Sequence, residues 1–173
     1  MNKTRRLTSL AMLIAVNVVL CILTPIKLGN FKFTFEAFPI LVAAIAMGPI
    51  EGLIVGTLGS TIYQLFFSGY GLMPTTMLWI LPHAFSGLIV GVYAKKHNFK
   101  LNNKQLAFIT ILSSLIVTVL NTLAIYVDSK VFGYYTFSYV FGAIIIKIVT
   151  GIILASIYSL VISKLIKILQ HIK

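Results

Sequence analysis

The chain has 173 residues, of which 59% are hydrophobic and only 10% are charged, and its mean hydropathy is +1.02. A soluble domain carries charge on about a quarter of its residues, so this composition excludes an ordinary soluble fold. The formal net charge of +11 fits either nucleic-acid binding or membrane topology. Because the cations cluster at the ends of apolar segments, we favour the membrane and expect no nucleic-acid partner.

Six apolar segments follow one another, and short breaks rich in Gly, Pro or polar residues separate them. We predict helices at Leu7–Ile26, Phe35–Met47, Glu51–Phe67, Met77–Ala94, Leu106–Val127 and Tyr139–Leu169. The last break before the sixth helix is predicted at Asp128–Tyr135. The sequence shows no linker, so residues 1–173 are predicted to form one domain. We expect an all-α integral membrane protein, a single bundle of six transmembrane helices embedded in the lipid bilayer.

The positive residues predict how this bundle is oriented. If both termini are cytoplasmic, ten of the 14 Lys and Arg residues fall on the cytoplasmic side and three fall outside. Cytoplasmic loops of membrane proteins carry such an excess of Lys and Arg. We therefore predict cytoplasmic termini. The remaining cation, Lys147, falls within the sixth predicted span.

Polar residues inside the predicted spans converge at one depth. Counted from the outer helix ends at 1.5 Å per residue, His83 and Asn121 lie about 10 Å deep and Lys147 about 13 Å deep. Tyr63 and Gln64 lie near the outer end of the third predicted helix. Ionisable groups in a membrane usually face a cavity or a partner. The common depth therefore predicts a polar cavity in the outer half of the membrane.

The fourth predicted helix, within "PTTMLWILPHAFSG", contributes most to this layer. Trp79 and His83 are four residues apart and share a helix face. Pro82 lacks an N–H group, so the carbonyl oxygen of Leu78 needs another partner. We predict that Trp79 and His83 bind substrate. The alternative is a packing kink with a histidine bonded to the backbone.

Lys147 is the strongest single candidate for a substrate-binding residue. Its depth makes it hard for the ammonium group to reach either membrane surface by snorkelling. The chain has only three acidic residues, namely Glu36, Glu51 and Asp128. With so few partners in the protein, a carboxylate on a ligand is the proposed counter-ion of Lys147.

The first outer loop, "NFKFTFEAF", alternates aromatic and polar residues. Period two predicts an extended segment with Phe31, Phe33 and Phe35 on one side. Above an outer cavity, such a segment would act as a lid whose rings stack on a flat ligand. The alternative is an aromatic belt at the membrane interface.

The sequence lacks the motifs that ATP hydrolysis and metal binding require. We find no P-loop for ATP hydrolysis and no Cys/His spacing typical of a metal site, so no cofactor is expected. With so few carboxylates, we predict that the chain is not an enzyme. An outer cavity without an energy source instead indicates a capture subunit powered by partners. A small lipid-modifying enzyme using His83 as a base, or a structural membrane protein, remains the alternative.

These segments resemble the substrate-binding S component of energy-coupling factor (ECF) vitamin transporters. The resemblance rests on "AMLIA" in the first helix, on "FPILVAAIAMGPIEGLIVGTLGS" and on "GYGLMPTT", and it is strongest for the folate family. It implies a bacterial plasma-membrane protein with a transmembrane coupling subunit and two cytoplasmic ATPases as partners. It also implies that Ala11 and Ala15 dock on the coupling subunit.

The resemblance further implies a vitamin site near the outer surface, closed by the loop after the first helix. Folate suits the predicted residues, with a flat ring for Trp79, Tyr63, Phe33 and Phe35. Asn121 and Gln64 would supply hydrogen bonds, and Lys147 or the lysines of the outer loops would pair with the carboxylates. Pantothenate, a pyridoxine-like vitamin, a thiazole or a queuosine precursor remain alternative substrates for the same frame.

Overall fold

The computed structural model describes residues 3–28, 31–69 and 71–171. Seven helices and one two-stranded antiparallel ladder occupy them. In chain order they are α1 (Lys3–Leu23), β1 (Ile26–Leu28), β2 (Phe31–Phe33), α2 (Ala37–Ala46), α3 (Pro49–Phe66), α4 (Thr76–Lys96), α5 (Asn103–Val131), α6 (Phe137–Phe141) and α7 (Ile144–His171).

Four stretches of the described chain are long and apolar enough to cross a membrane. They are α1, α4, α5 and the stretch Phe137–Leu165, which includes α6 and most of α7. By contrast, α2 has only ten residues, and α3 contains a buried glutamate, Glu51, in its first turn. A helix needs about 20 residues to cross a bilayer alone, so α2 is too short for that. Six membrane spans therefore stay a prediction.

Three predicted boundaries are wrong. The predicted first helix, Leu7–Ile26, ends too late, because α1 ends at Leu23 and Ile26 already belongs to β1. The break predicted at Asp128–Tyr135 begins too early, because α5 continues to Val131. Gly133 then ends the helix region, since its φ of +77° is the left-handed conformation that glycine adopts without strain. The predicted helix Tyr139–Leu169 is not continuous either, because a turn at Gly142 and Ala143 separates α6 from α7.

The predicted extended loop is only partly extended. β2 ends at Phe33 and pairs with β1, with Ile26 opposite Phe33 and Leu28 opposite Phe31. The next residues turn into α2, and Glu36 is its N-cap in helical conformation. The alternation in the sequence therefore describes a short hairpin followed by a helix start, because the apolar run from Ala37 packs inside the bundle.

α2 is the buried centre of the bundle. Ile40 and Ala43 pack with Leu10 of α1 and Val55 of α3 in one apolar cluster. On the other side, α2 joins a second cluster with α4, α5 and α7, whose buried members are Leu41, Ala44, Ile45, Val90, Leu106, Ile109, Tyr158 and Ile162. Continuous apolar sequence on all sides is what a helix enclosed by others requires.

Glycines set the closest helix approach, between α3 and α4. A Cβ atom built on Gly52 would lie 2.6 Å from the carbonyl oxygen of Gly87, and one on Gly87 would overlap the backbone of Gly52. Likewise, Gly56 lies against the backbone of His83, and Gly91 against Pro49. The repeated "GLIVG" segments therefore pack on each other, as small-xxx-small spacing predicts. This contact fixes the height of His83 relative to α3.

Candidate functional site

A cavity of about 760 Å³ lies among α3, α4, α5 and α7. Its size falls within the range of small-molecule sites, which is roughly 300–1,000 Å³. The walls combine aromatic rings with hydroxyl, amide and charged groups. The structure brings together six of the predicted site residues in this lining: Tyr63, Gln64, Trp79, His83, Asn121 and Lys147.

The two predicted phenylalanines have different positions. The side chain of Phe33 lies outside the described residues. The ring of Phe35 packs edge-on against Tyr158, with 6.2 Å between ring centroids, and belongs to the surroundings of the apolar core. Tyr158 itself lines the cavity. Phe35 is thus placed behind the wall that Tyr158 forms, so its predicted role in binding would act through that ring.

A buried polar contact forms the cavity wall between α2 and α4. His83 Nε2 lies 3.4 Å from Oε1 of Glu36, and both residues line the cavity. The other carboxylate oxygen of Glu36 accepts a hydrogen bond from the thiol of Cys21, with 2.7 Å between Sγ and Oε2. His83 therefore contacts the acidic side chain at the N-cap of α2. The Nε2 atom of His83 does not face a backbone group, which was the alternative that the sequence left open.

A second carboxylate lies where α4 and α5 meet the loops. Asp128 accepts hydrogen bonds from the hydroxyl groups of Thr75 and Tyr134. Thr75 precedes the first residue of α4, and Tyr134 lies between α5 and α6. All three residues line the cavity. Hydrogen bonds to an ionised acceptor are stronger than neutral ones, so this trio ties the start of α4 to the end of α5.

The remaining walls are held by hydroxyl contacts between helices. Ser86 of α4 and Ser113 of α5 are hydrogen-bonded at 2.6 Å within the bundle. Gly151 of α7 lies against the hydroxyl group of Ser114, so α5 and α7 approach closely beside the cavity. Lys147 is one turn before Gly151 on the same helix, which places its side chain in the lining opposite α4.

Sequence reasoning missed the two acidic residues of the cavity. The sequence alone predicts Glu36 in an extended loop and Asp128 in the break after the fifth helix, and it singles out neither as a site residue. In the structure both share the cavity with His83 and Lys147. The usable signal was the position of Glu36 directly before an apolar helix, where a carboxylate turned inward has a helix N-terminus nearby. Nothing in the local sequence points to the partners of Asp128.

The predicted partner-docking residues lie on the outside. Ala11 and Ala15 are both exposed on α1, beside the exposed apolar side chains of Met12 and Val16. The opposite side of α1 faces the bundle with Asn17, Val18 and Cys21. Within the part of the chain that the structure describes, no group of three His, Cys, Asp or Glu residues could hold a metal ion.

Comparison with known proteins gives one matching family and several similar structures. The sequence profile of the family described as "ECF transporter, substrate-specific component" matches residues 5–169. No curated protein matches the sequence. An S component of a bacterial ECF transporter superposes with a TM-score of 0.72 at 22% identity, covering 97% of this chain and 99% of that one.

Two further solved structures share the fold. FolT bound with folic acid superposes with a TM-score of 0.68 at 22% identity, covering 91% of this chain and 93% of that one. An S component for biotin from an ECF-type ABC transporter gives 0.68 at 17% identity, covering 96% and 95%. The profile match spans nearly the whole chain, and the architecture is the same. The chain therefore belongs to the family of ECF transporter substrate-specific components, multi-pass proteins of the bacterial plasma membrane.

Proposed function

We propose that this chain captures folate, or another flat vitamin, in the cavity between α3, α4, α5 and α7, for ATP-driven uptake by partner subunits. The observation that carries the proposal is the convergence of Trp79, Asn121 and Lys147 on one cavity of about 760 Å³. Ionisable residues in membrane helices usually face a cavity or a partner, and a lined cavity of this size has room for a ligand.

The lining suits an aromatic, acidic molecule. Trp79 and Tyr63 offer ring faces for stacking, which aromatic pairs favour in offset or edge-on geometry. Asn121 and Gln64 each supply amide donors and acceptors. Lys147 supplies a cation that a ligand carboxylate can pair with. The shared fold with FolT bound with folic acid supports folate as the first vitamin to test.

The partners of the proposed complex are a transmembrane coupling subunit and two cytoplasmic ATPases. Support comes from the exposed face of α1, where Ala11 and Ala15 leave space for another helix to approach closely. That spacing has no helix against it within the described chain, since both alanines are exposed. The chain would thus bind vitamin alone but transport it only within the complex.

Two measurements test this proposal directly. Small molecules released from the purified protein are identified by mass spectrometry, with an unrelated membrane protein purified in the same way as control. Calorimetric titration then measures the affinity for folic acid without ATP. The cavity contains the chain's only tryptophan, so quenching of Trp79 fluorescence gives a second readout. The Trp79→Phe variant is the matched control for that signal.

The outcomes separate the alternatives. Near-equimolar folate, or tight binding of folic acid, supports both capture and substrate. Another vitamin, such as pantothenate or a pyridoxine-like compound, keeps the capture role and overturns folate. A protein that is empty and silent against a full vitamin panel overturns capture and leaves the structural role. Turnover of a lipid that depends on His83 would instead show an enzyme.

A further inference from the structure

An apolar groove of about 370 Å³ lies on the outside of the bundle, between α4 and α5. Six apolar side chains line it: Phe85, Ile89, Leu115, Ile116, Val119 and Leu120. The helix period places these residues on the side away from the cavity, whose lining includes His83 of α4 and Ser113 of α5. Phe85 and Val119 are exposed. The groove therefore opens away from the bundle, along two helices that are long and apolar enough to cross a membrane.

Basic residues lie at the end of this groove where α4 connects to α5. Ser86 of α4 and Ser113 of α5 are hydrogen-bonded at 2.6 Å, which fixes the register of these two antiparallel helices. Counted from that pair towards the connection, Lys96 is ten residues from Ser86, and Lys104 is nine from Ser113. At 1.5 Å per residue these distances are about 15 Å and about 14 Å. The two lysines therefore lie at the same level, and both are exposed.

Lys96 and Lys104 also share the groove's side of their helices. Lys96 follows Ile89 by seven residues, which is about two helical turns, and Lys104 precedes Leu115 by eleven, which is about three. Lys95 is exposed too, but it lies about 100° around α4 from Lys96. The end of the groove is thus marked by one lysine from each helix, and Lys95 lies to one side of it.

The helix dipoles do not account for this pair of lysines. Lys96 lies in the last turn of α4, where a cation is favoured, but Lys104 lies in the first turn of α5, where a cation is disfavoured. The three acidic residues of the chain have other positions, since Glu36 and Asp128 line the cavity and Glu51 pairs with Arg6. An apolar groove that ends at two such cations complements a molecule with an apolar tail and an anionic head.

We propose that the groove between α4 and α5 binds one anionic phospholipid of the bilayer, with its phosphate group between Lys96 and Lys104. An acyl chain lies against the six apolar side chains of the groove. The membrane supplies this occupant, because hydrocarbon surrounds the helices that form the groove, and lysines near the surface attract anionic lipids. This site goes beyond vitamin capture and does not depend on it.

The headgroup preference is tested on the full chain by native mass spectrometry. The purified protein is mixed with equal amounts of phosphatidylglycerol and phosphatidylcholine that carry the same acyl chains, so only the headgroups differ. We expect one phosphatidylglycerol molecule to be retained in preference to phosphatidylcholine. Equal retention of the two lipids by the wild-type protein overturns the proposal. No vitamin is needed, so this result is independent of the capture function.

Three lysine variants test the position of the phosphate. Lys96→Gln and Lys104→Gln should each lower the retention of phosphatidylglycerol about fivefold, the scale of one lysine near an anionic membrane surface. Lys95→Gln is the matched control, because it removes the same charge from the neighbouring position outside the groove's side of α4. It should leave retention unchanged. An equal loss in Lys95→Gln would show that only the overall charge acts, which overturns the site.

The acyl-chain part of the site is tested by filling the groove. Val119→Trp places a large ring in it at an exposed position and should abolish the preferential retention of phosphatidylglycerol. Leu123→Trp, one turn further along α5 and outside the groove lining, is the matched control and should retain the lipid. Full retention in Val119→Trp overturns the proposal.

The same spectra identify other occupants of the groove. A dimer of the wild-type protein that Val119→Trp abolishes would mean that a second copy of the chain covers the groove. Displacement of the lipid by inorganic phosphate would mean a site for a free anion. Either result overturns the phospholipid.

Discussion

α1 and α4 are both apolar helices of 21 residues, yet they differ in what surrounds them. Half of the most apolar stretch of α4 is buried, against 22% for α1. Both helices contain small residues four apart. In α4 these are Gly87 and Gly91, which lie against the backbone of α3 and its first residues. In α1 they are Ala11 and Ala15, which are exposed.

The difference shows that the same spacing can serve two purposes. Where a partner helix lies in the same chain, small residues bring two backbones together and fix the cavity wall. Where no helix of the described chain covers them, the close-approach surface stays open to another subunit. Hydrophobicity alone does not distinguish the two helices. We call the α4 surface at Gly87 and Gly91, which α3 covers, the filled surface, and the α1 surface at Ala11 and Ala15, which no helix of the described chain covers, the open surface. The following substitutions test the contrast between them.

The largest effect is expected for Gly87→Val in the filled surface. A side chain at position 87 would overlap the backbone of Gly52, so α3 and α4 must separate. Overpacking of this kind costs about 3 kcal/mol. We expect a lower melting temperature in detergent and loss of folic-acid binding. Val92→Ala, at an exposed position of α4, is the control and should change stability by less than about 0.5 kcal/mol. A Gly87→Val protein that melts like wild type would contradict the packing argument.

Ala11→Trp tests the open surface. The bulky ring should block approach of the coupling subunit, so vitamin uptake by cells that express all partners should be abolished. Binding to the isolated subunit should be unchanged, because position 11 lies away from the cavity lining. Leu123→Trp, at an exposed position of α5, should leave both activities intact. Loss of binding together with uptake would mean that this face is needed for folding.

Lys147→Met tests the charge opposite α4. If the ammonium group pairs with a ligand carboxylate, the affinity for folic acid should fall by roughly 1.5–3 kcal/mol, the scale of a hydrogen bond to a charged group. Lys164→Met, at an exposed position of the same helix, is the matched control. Calorimetry measures both variants. Unchanged affinity in Lys147→Met would remove this residue from the site.

The smallest effect is expected at the start of α4, where Thr75 and Asp128 meet. Thr75→Val and Asp128→Asn should each weaken folic-acid binding about fivefold, the equivalent of ~1 kcal/mol. Because both belong to one hydrogen-bonded group, the double variant should lose less than the sum. A double-mutant cycle by calorimetry measures this coupling. Fully additive losses would show that the two residues act independently of each other.

Several features were predictable because they depend on neighbouring residues. The apolar runs and the breaks rich in Gly and Pro located most of the helices to within a few residues, including the break between α2 and α3 at Gly48. Helix periodicity placed Trp79 and His83 on one face, and both line the cavity. By contrast, the ends of α1 and α5 and the break before α7 were placed wrongly. There the polar residues after Val127 continue the helix, and Gly142 interrupts an apolar run that looks continuous.

What the sequence alone determined is that the chain lies in a membrane and where its helices run, because hydrophobicity and helix propensity act over a few neighbouring residues. What only the tertiary structure decided is which polar groups meet. Glu36 and His83 are 47 positions apart, and Thr75 and Asp128 are 53 apart, yet each pair is in contact. Such pairs depend on how the helices cross, and crossings are set by contacts between residues that are close in space but far apart along the chain, such as Gly52 and Gly87 between α3 and α4.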